Sequence, residues 1–367
     1  MEDYCICVQR STDTDIIQNN SGQKAVFKKS ALWPKGYPIK IGFDETNSDG
    51  IKRDVYNDND IDPLQHIIQA TDCKLSLSDI VKKVIIERFQ PLVNLTFKFV
   101  PYNQADIRIT FDTTKGKGTY SCLGTEALDR KKNENTMNFA WFRVSSIIHE
   151  FGHAIGMEHE HQSPYSTINW DKQKVYDYFN YNFKWDKETV DINIINKLDE
   201  YNFNASKFDP LSIMIYFYPP ELTLDNVGTR ENRRLSGYDV EWIAKTYPKE
   251  KSDPYYISPE KFYYDTYGIS LAASKAESDR LAKKSLPWWI ILLIIFFSII
   301  FVMSIAFVIK KFYINKNHGY QQLDRRNIPR ENIPLNRPGY QQQRNIPLEN
   351  IPLNRGNRRG IMGIKDY

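Results

Sequence analysis

Residues 149 to 159 read His149-Glu150-Phe151-Gly152-His153-Ala154-Ile155-Gly156-Met157-Glu158-His159. The chain has six histidines in 367 residues, and four of them (His149, His153, His159, His161) fall within thirteen positions. His149 and His153 are four apart, so on a helix they stand one turn apart on the same face and reach one point in space. Gly156 has no Cβ and can enter the left-handed conformation, so the helix can stop there and the chain turn back. His159 then arrives as a third neutral nitrogen. Three imidazoles on one metal ion leave a coordination position open, which separates a catalytic zinc from a closed structural one. Glu150 can reach a water on that ion, whose pKa zinc lowers toward neutrality, and can take its proton. A bare His-Glu-x-x-His also occurs in unrelated helices with solvated histidines; the glycine and the third histidine set this chain apart from those. The pattern predicts one Zn2+ with His149, His153 and His159 as ligands and Glu150 as general base.

The same eleven residues resemble the signature of the metzincin zinc metalloproteases, and Glu160 directly after them narrows the resemblance to the astacin-like branch. A second match, Ser212-Ile213-Met214-Ile215-Tyr216, is similar to the Met-turn of that branch. The resemblance implies that Met214 forms an apolar floor under the metal. It implies that Tyr216 is a phenol that can ligate zinc at rest and donate to the oxyanion during hydrolysis. Taken alone, Met214 and Tyr216 also read as ordinary core residues; the flanking Asp209-Pro210-Leu211 and Pro219-Pro220-Glu221-Leu222-Thr223 favour the Met-turn. Weaker similarities run from residue 31 to 249. Trp33-Pro34 followed by Ile39-Lys40-Ile41 resembles the strand with which the family's domain begins. Thr167-Ile168-Asn169-Trp170 and the closing helix from Leu235-Ser236 match as well. The resemblance implies an α+β fold, a metzincin-like zincin domain with a mixed sheet and an active-site helix, acting on a peptide or protein substrate.

The chain also departs from the animal members of that branch. His161-Gln162-Ser163-Pro164 stands where they carry an Arg- and Asp-rich run, and Ile215 stands where they carry a histidine. Their disulfide framework is missing. The four cysteines, Cys5, Cys7, Cys73 and Cys122, all lie in the first third of the chain, which favours a reducing compartment. The acidic start Met1-Glu2-Asp3-Tyr4 is followed by no apolar run of signal-peptide length. The chain is therefore expected to be a distant, non-secretory relative. His161, a fourth imidazole beside the zinc loop, reads either as a donor supporting the metal ligands or as a surface histidine, and the surface is expected.

Hydrophobic residues make up 41% of the chain and aromatics 14%, ample for one sizeable core. Ser78 to Phe89 carries Ile80, Val84 and Ile85 at helical spacing, and Pro91 stops it. Leu95/Phe97/Phe99, Ile107/Ile109/Phe111 and Met137/Phe139/Trp141 alternate at period two, as half-buried strands do. The last leads into a helix from Val144 to Gly156 that carries the first two imidazoles. Val240, Ile243, Ala244 and Tyr247 keep helical spacing behind a Ser236 cap. This order puts the metal between a sheet-bearing upper half and an irregular lower half, with Tyr120 to Leu128 as the rim of the cleft.

Leu286 to Ile309 is 24 residues without a charge. At 1.5 Å per residue it reaches about 36 Å, enough for a bilayer. Trp288 and Trp289 at one end, and Phe312 and Tyr313 at the other, suit interfacial anchors. Residues 310 to 367 carry twelve Lys/Arg and four Asp/Glu, net +8, against +4 for the whole chain. There Asn327 to Arg337 recurs nearly intact as Asn345 to Arg355. A proline every few residues makes this a disordered basic tail that can meet anionic lipid, nucleic acid or an adaptor. No strong nucleic-acid signal accompanies it. Basic residues are balanced across the apolar stretch, so they do not set the side of the membrane on which each end lies.

The expected layout is a polar segment over 1–30, a zinc metalloprotease domain over 31–250, a stalk over 251–285, a transmembrane helix over 286–309 and the tail over 310–367. The expected function is a membrane-anchored zinc metalloendopeptidase. The rival is a catalytically weak or inactive scaffold of the same fold that binds partners through its tail.

Overall fold

The computed structural model of the chain describes residues 26–48, 50, 51, 53, 60–70, 74–114, 118–205, 207–283 and 288–324. Cys5, Cys7, Cys73 and the repeats from Asn327 onward lie outside them. The chain divides into two units, residues 1–285 and 286–367.

Among the described residues of the first unit, seven short strands form: β1 (Phe27–Lys28), β2 (Pro38–Asp44), β3 (Thr96–Phe99), β4 (Ile107–Thr110), β5 (Tyr120–Ser121), β6 (Met137–Asn138) and β7 (Phe203–Asn204). Five make one sheet in the order β3-β2-β4-β6-β5. Its first four strands run parallel, and the edge strand β5 runs antiparallel to β6. β1 and β7 pair separately. In β2, buried Ile39 and Ile41 flank exposed Lys40, as alternation requires. β4 departs from that pattern. Arg108, between Ile107 and Ile109, is fully buried and donates to the carbonyls of Ala105, Asp106, Arg130, Lys131 and Glu134.

The strand expected over Met137 to Trp141 stops at Asn138. Its side chain turns inward, where Oδ1 accepts from Thr110 Oγ1 and the Asp112 amide. Nδ2 donates to the carbonyls of Asp112 and Gly118. The loops are thus tied together and the ladder ends. Of the expected rim, only Tyr120–Ser121 is strand; Gly124–Asp129 winds into a 3-10 helix.

The helices are α1 (Leu64–Gln69), α2 (Leu77–Val84), α3 (Val144–Ala154), α4 (Lys172–Phe183), α5 (Lys187–Val190), α6 (Gly237–Thr246), α7 (Pro259–Tyr267) and α8 (Leu271–Ala282). α2 continues as a π turn over Ile85–Phe89, so the helical reading of Ser78 to Phe89 stands with its last turn widened. Phe89 and Phe97 meet Phe151 of α3 edge-on at 4.8 and 5.2 Å between ring centroids. This clamps α3 between the sheet and α2. Two cores result. The larger joins sheet, α2, α3 and α6, and the smaller holds Val175, Phe179, Val190, Ile194, Tyr216 and Tyr218. These are the upper and lower halves.

The segment expected to be a stalk is not one. Phe262, Tyr263 and Leu271 on α7 and α8 are buried in the larger core. Tyr263 Oη donates to the Leu235 carbonyl. Tyr267 Oη donates to Asp62, which also takes two bonds from the buried Arg88 guanidinium. Sequence reading missed this because neither helix has a strongly apolar face; each contributes a few aromatic or aliphatic contacts and several hydroxyls. Three such side chains contribute about 1.5–3 kcal/mol each. Ending the chain at residue 250 instead of 283 is therefore expected to lower the melting temperature by about 10 °C or more. Equal melting of the two fragments, followed by circular dichroism, would show that the helices add nothing.

In the second unit, α9 runs from Trp288 to Asp324. Leu292–Phe312 has a mean hydropathy of 3.1 and is long and apolar enough to cross a membrane. The helix continues past Ile309, where the span was expected to end, because no proline occurs between Pro287 and Pro329.

Candidate metal centre

α3 ends where its sequence requires. Gly156 takes φ +97°, a conformation that costs residues with a Cβ. The last carbonyls of α3 and its turn are claimed by two side chains from afar. Trp33 Nε1 donates to the Ala154 carbonyl at 2.8 Å, and Tyr247 Oη donates to that of Ile155 at 2.6 Å. These bonds fix the exit of the chain toward His159.

The three expected imidazoles converge, their ligand atoms all lying within 4.8 Å of one another. His149 Nδ1 lies 2.8 Å from the Ile213 carbonyl and His153 Nδ1 lies 2.7 Å from the Met157 carbonyl. A carbonyl only accepts, so each Nδ1 carries the hydrogen and each Nε2 keeps a bare lone pair. His153 Nε2 and His159 Nε2 face each other at 3.0 Å. His149 Nε2 is shielded from solvent and has no hydrogen-bond partner among the described residues. Three imidazoles converging in a dry site, with His149 Nε2 unpartnered among the described residues, make a donor set that suits zinc. Burial pushes the His149 imidazole down to about 4. Burial and the neighbouring imidazoles push His153 and His159 well below the ordinary histidine range. All three are therefore in the neutral, ligating form at physiological pH. Glu150 lies on α3 between the first two, 2% exposed.

The turn from Ser212 to Tyr216 packs against α3, its Ile213 carbonyl at His149 and its Met214 thioether at Gly152. Met214 is fully buried and belongs to the larger core, whereas Tyr216, two residues on, belongs to the smaller. The centre thus sits on the seam between the two halves. A Cβ on Gly152 would lie 2.7 Å from Met214 Sδ, so a glycine in the middle of α3 is what lets the thioether approach. The Tyr216 ring lies 4.3 Å from that of His159 and 5.8 Å from that of His149, centroid to centroid.

Asp239 holds the turn from below. It completes the capping box of α6 with Ser236, and it also accepts from Ser212 Oγ at 2.7 Å and the Ile213 amide at 2.9 Å. The same Ile213 presents its carbonyl to His149. Glu160 and Asp209 form the next layer. The Asp209 amide donates to Glu160 Oε1 at 2.9 Å, and Asp209 accepts from Ser236 Oγ and from Ser278 Oγ of α8. Burial first, and then repulsion from the Asp209 carboxylate, raises the pKa values of Glu160 and Asp239; burial raises that of Asp209.

His161 corrects the sequence reading. It is 1% exposed, not at the surface. The apolar surroundings come from residues distant in sequence, so nothing near position 161 announces them. Burial pushes its pKa down to about 4. Cys122, the one cysteine among the described residues, is free and half-buried.

The astacin peptidase family matches residues 73–248, a stretch that contains α3, the three imidazoles and the Met-turn. A solved structure of myroilysin is 35% identical, with a TM-score of 0.50 over 62% of this chain and 100% of that one. The chain belongs to the astacin family. A crystal structure of myroilysin at 32% identity covers 68% of this chain and 93% of its own, with a TM-score of 0.42. High choriolytic enzyme 1, a hatching enzyme zinc-protease from Oryzias latipes (medaka fish), is 17% identical, with a TM-score of 0.35 over 63% of this chain and 100% of that one. No curated protein matches the chain. Astacin metalloproteases use one catalytic zinc, and His149, His153 and His159 form a group able to hold it. Sequence reading missed Gly152, Trp33, Tyr247 and Asp239 as parts of this astacin site. Only Asp239 left a trace, three residues after Ser236, and that trace pointed to a helix cap.

Proposed function

We propose that this astacin-family chain is a membrane-tethered zinc endopeptidase that hydrolyses internal peptide bonds of proteins. The observation that carries the proposal is the buried cluster of three neutral imidazoles with converging Nε2 atoms beside a buried Glu150. His149, His153 and His159 would hold a zinc ion, which when bound would supply Lewis acidity toward the scissile carbonyl and the attacking water. Glu150 takes the proton of the attacking water and delivers it to the departing amine. Tyr216 donates its phenol hydrogen to the oxyanion that develops on the substrate carbonyl. β5 ends the strand order of the main sheet, and an extended peptide adds to that edge by backbone pairing. Residues 26–283 form the catalytic domain, and Leu292–Phe312 tethers it to a bilayer, with the basic tail contacting anionic lipid headgroups or an adaptor.

The test is a metal and activity measurement on the purified full chain in detergent. We expect one zinc per chain and cleavage of dye-quenched casein that a chelator abolishes and added zinc restores. Absence of cleavage, with or without bound zinc, would overturn the endopeptidase reading and favour the scaffold.

A further inference from the structure

His161 has no place in the chemistry described so far, yet it lies at the heart of the site. Its ring stacks on Tyr216 at 5.1 Å and 29°, and lies 5.4 Å from His159. The Tyr216 ring thereby touches three imidazoles, those of His149, His159 and His161. Tyr218 closes the far side, edge-on to His161 at 5.3 Å.

The polar atoms of His161 define its task. Nε2 lies 3.1 Å from the Asn193 carbonyl, which makes Nε2 the protonated nitrogen. That carbonyl belongs to the π turn Asp191–Ile195 of the lower half. Nδ1 is buried with no hydrogen-bond partner among the described residues. Burying an unpaired ring nitrogen is costly, and a leucine or phenylalanine would fill the space without that cost. Volume alone does not account for an imidazole here. What it adds is a flat face held at a set angle by a bond to the lower half. Tyr216 rides on a turn whose other side, Met214, is anchored in the upper core.

We propose that His161 is a positioning residue for Tyr216: its imidazole, pinned to Asn193, is the platform that holds the phenol ring in place for oxyanion stabilisation. This rests on the role of Tyr216 proposed above. The aromatic contact is the operative part, because planar rings in offset contact restrict one another's tilt. The hydrogen bond to Asn193 aims the platform.

The test is a double-mutant cycle on the full chain in detergent, with a fluorogenic peptide that the wild-type chain cleaves. Tyr216→Phe is expected to lower kcat by about a hundredfold or more. His161→Gln keeps a donor for Asn193 but has no ring face, and is expected to lower kcat by about tenfold with KM within about twofold. His161→Phe keeps the face and loses the bond, and should stay within about threefold of wild type. In the Tyr216→Phe background, His161→Gln should cost less than about twofold further, because its effect passes through the phenol. Zinc content and melting temperature are read for each variant. If His161→Gln does not fold, His161→Leu replaces it, with the same expectations. A tenfold loss that persists undiminished beside Tyr216→Phe overturns the positioning role, as does wild-type kcat in both ring-less variants. Wild-type kcat in Tyr216→Phe instead overturns the role of Tyr216 itself, so the two failures are told apart.

Discussion

Replacing Glu150 by alanine is expected to lower turnover by about two to four orders of magnitude, the usual cost of removing a general base, while the full complement of zinc stays bound. The two halves of that result have separate causes. Glu150 stands on α3 between His149 and His153, but the metal-ligand group consists of the three imidazoles. Removing the carboxylate therefore leaves the donor set intact and takes away the acceptor for the proton of the attacking water. Glu150→Gln, which keeps size and burial but not basicity, should behave in the same way. Both quantities are read from one preparation, by elemental analysis and by initial rates with saturating peptide. Turnover within about tenfold of wild type in either variant would place the proton acceptor elsewhere.

Loss of the metal is expected from His153→Ala, and with it all hydrolysis above background. Both nitrogens of His153 are engaged: Nδ1 at the Met157 carbonyl where the chain turns back, and Nε2 opposite His159 Nε2. The substitution removes one of three ligands and also releases the turn that delivers the third. Binding to the native state alone stabilises a protein in proportion to the logarithm of ligand concentration over Kd. The melting temperature of the wild-type chain should therefore rise with added zinc, and that of His153→Ala should not. Stoichiometric zinc in the dialysed variant, or an unchanged zinc-dependent rise in melting temperature, would exclude the proposed ligand set.

The metal-ligand triad was legible in the sequence because its geometry is local. A four-residue spacing on one helix and a glycine two residues past its end mark three side chains that can meet, and the bonds from Trp33, Tyr247 and Ile213 then fix how they do. The strands around Phe97 and Ile109 were legible from apolar residues at every second position, and the one around Ile39 from its resemblance to the family's first strand. Asn138 ended its strand early because its side chain bonds Thr110, Asp112 and Gly118, partners 20 to 28 residues away. No local pattern records such a choice. His161 read as a surface residue for the same reason, and α7 and α8 read as a stalk because their sequence is rich in Ser, Lys, Asp and Tyr. They are held by a few aromatic insertions and by hydroxyls that satisfy buried carboxylates, among them Ser278 on Asp209 and Tyr267 on Asp62.

By itself the sequence determined the chemistry this chain can carry: the identity and spacing of three imidazoles, the carboxylate beside them, the turn-permitting Gly156 and a long apolar stretch near the other end. These depend on covalent neighbours and helix geometry, which are short-ranged. Only the tertiary structure decided how that chemistry is held. Trp33 and Tyr247, far apart in sequence, cap the end of α3 side by side, and Asp239 ties the Met-turn to α6. His161 comes to lie against Tyr216 on the seam of two cores. Each of these is a hydrogen bond or ring contact between residues brought together only when the cores pack. Their partners are chosen by burial, where an unpaired polar group is costly and water is not present to satisfy it.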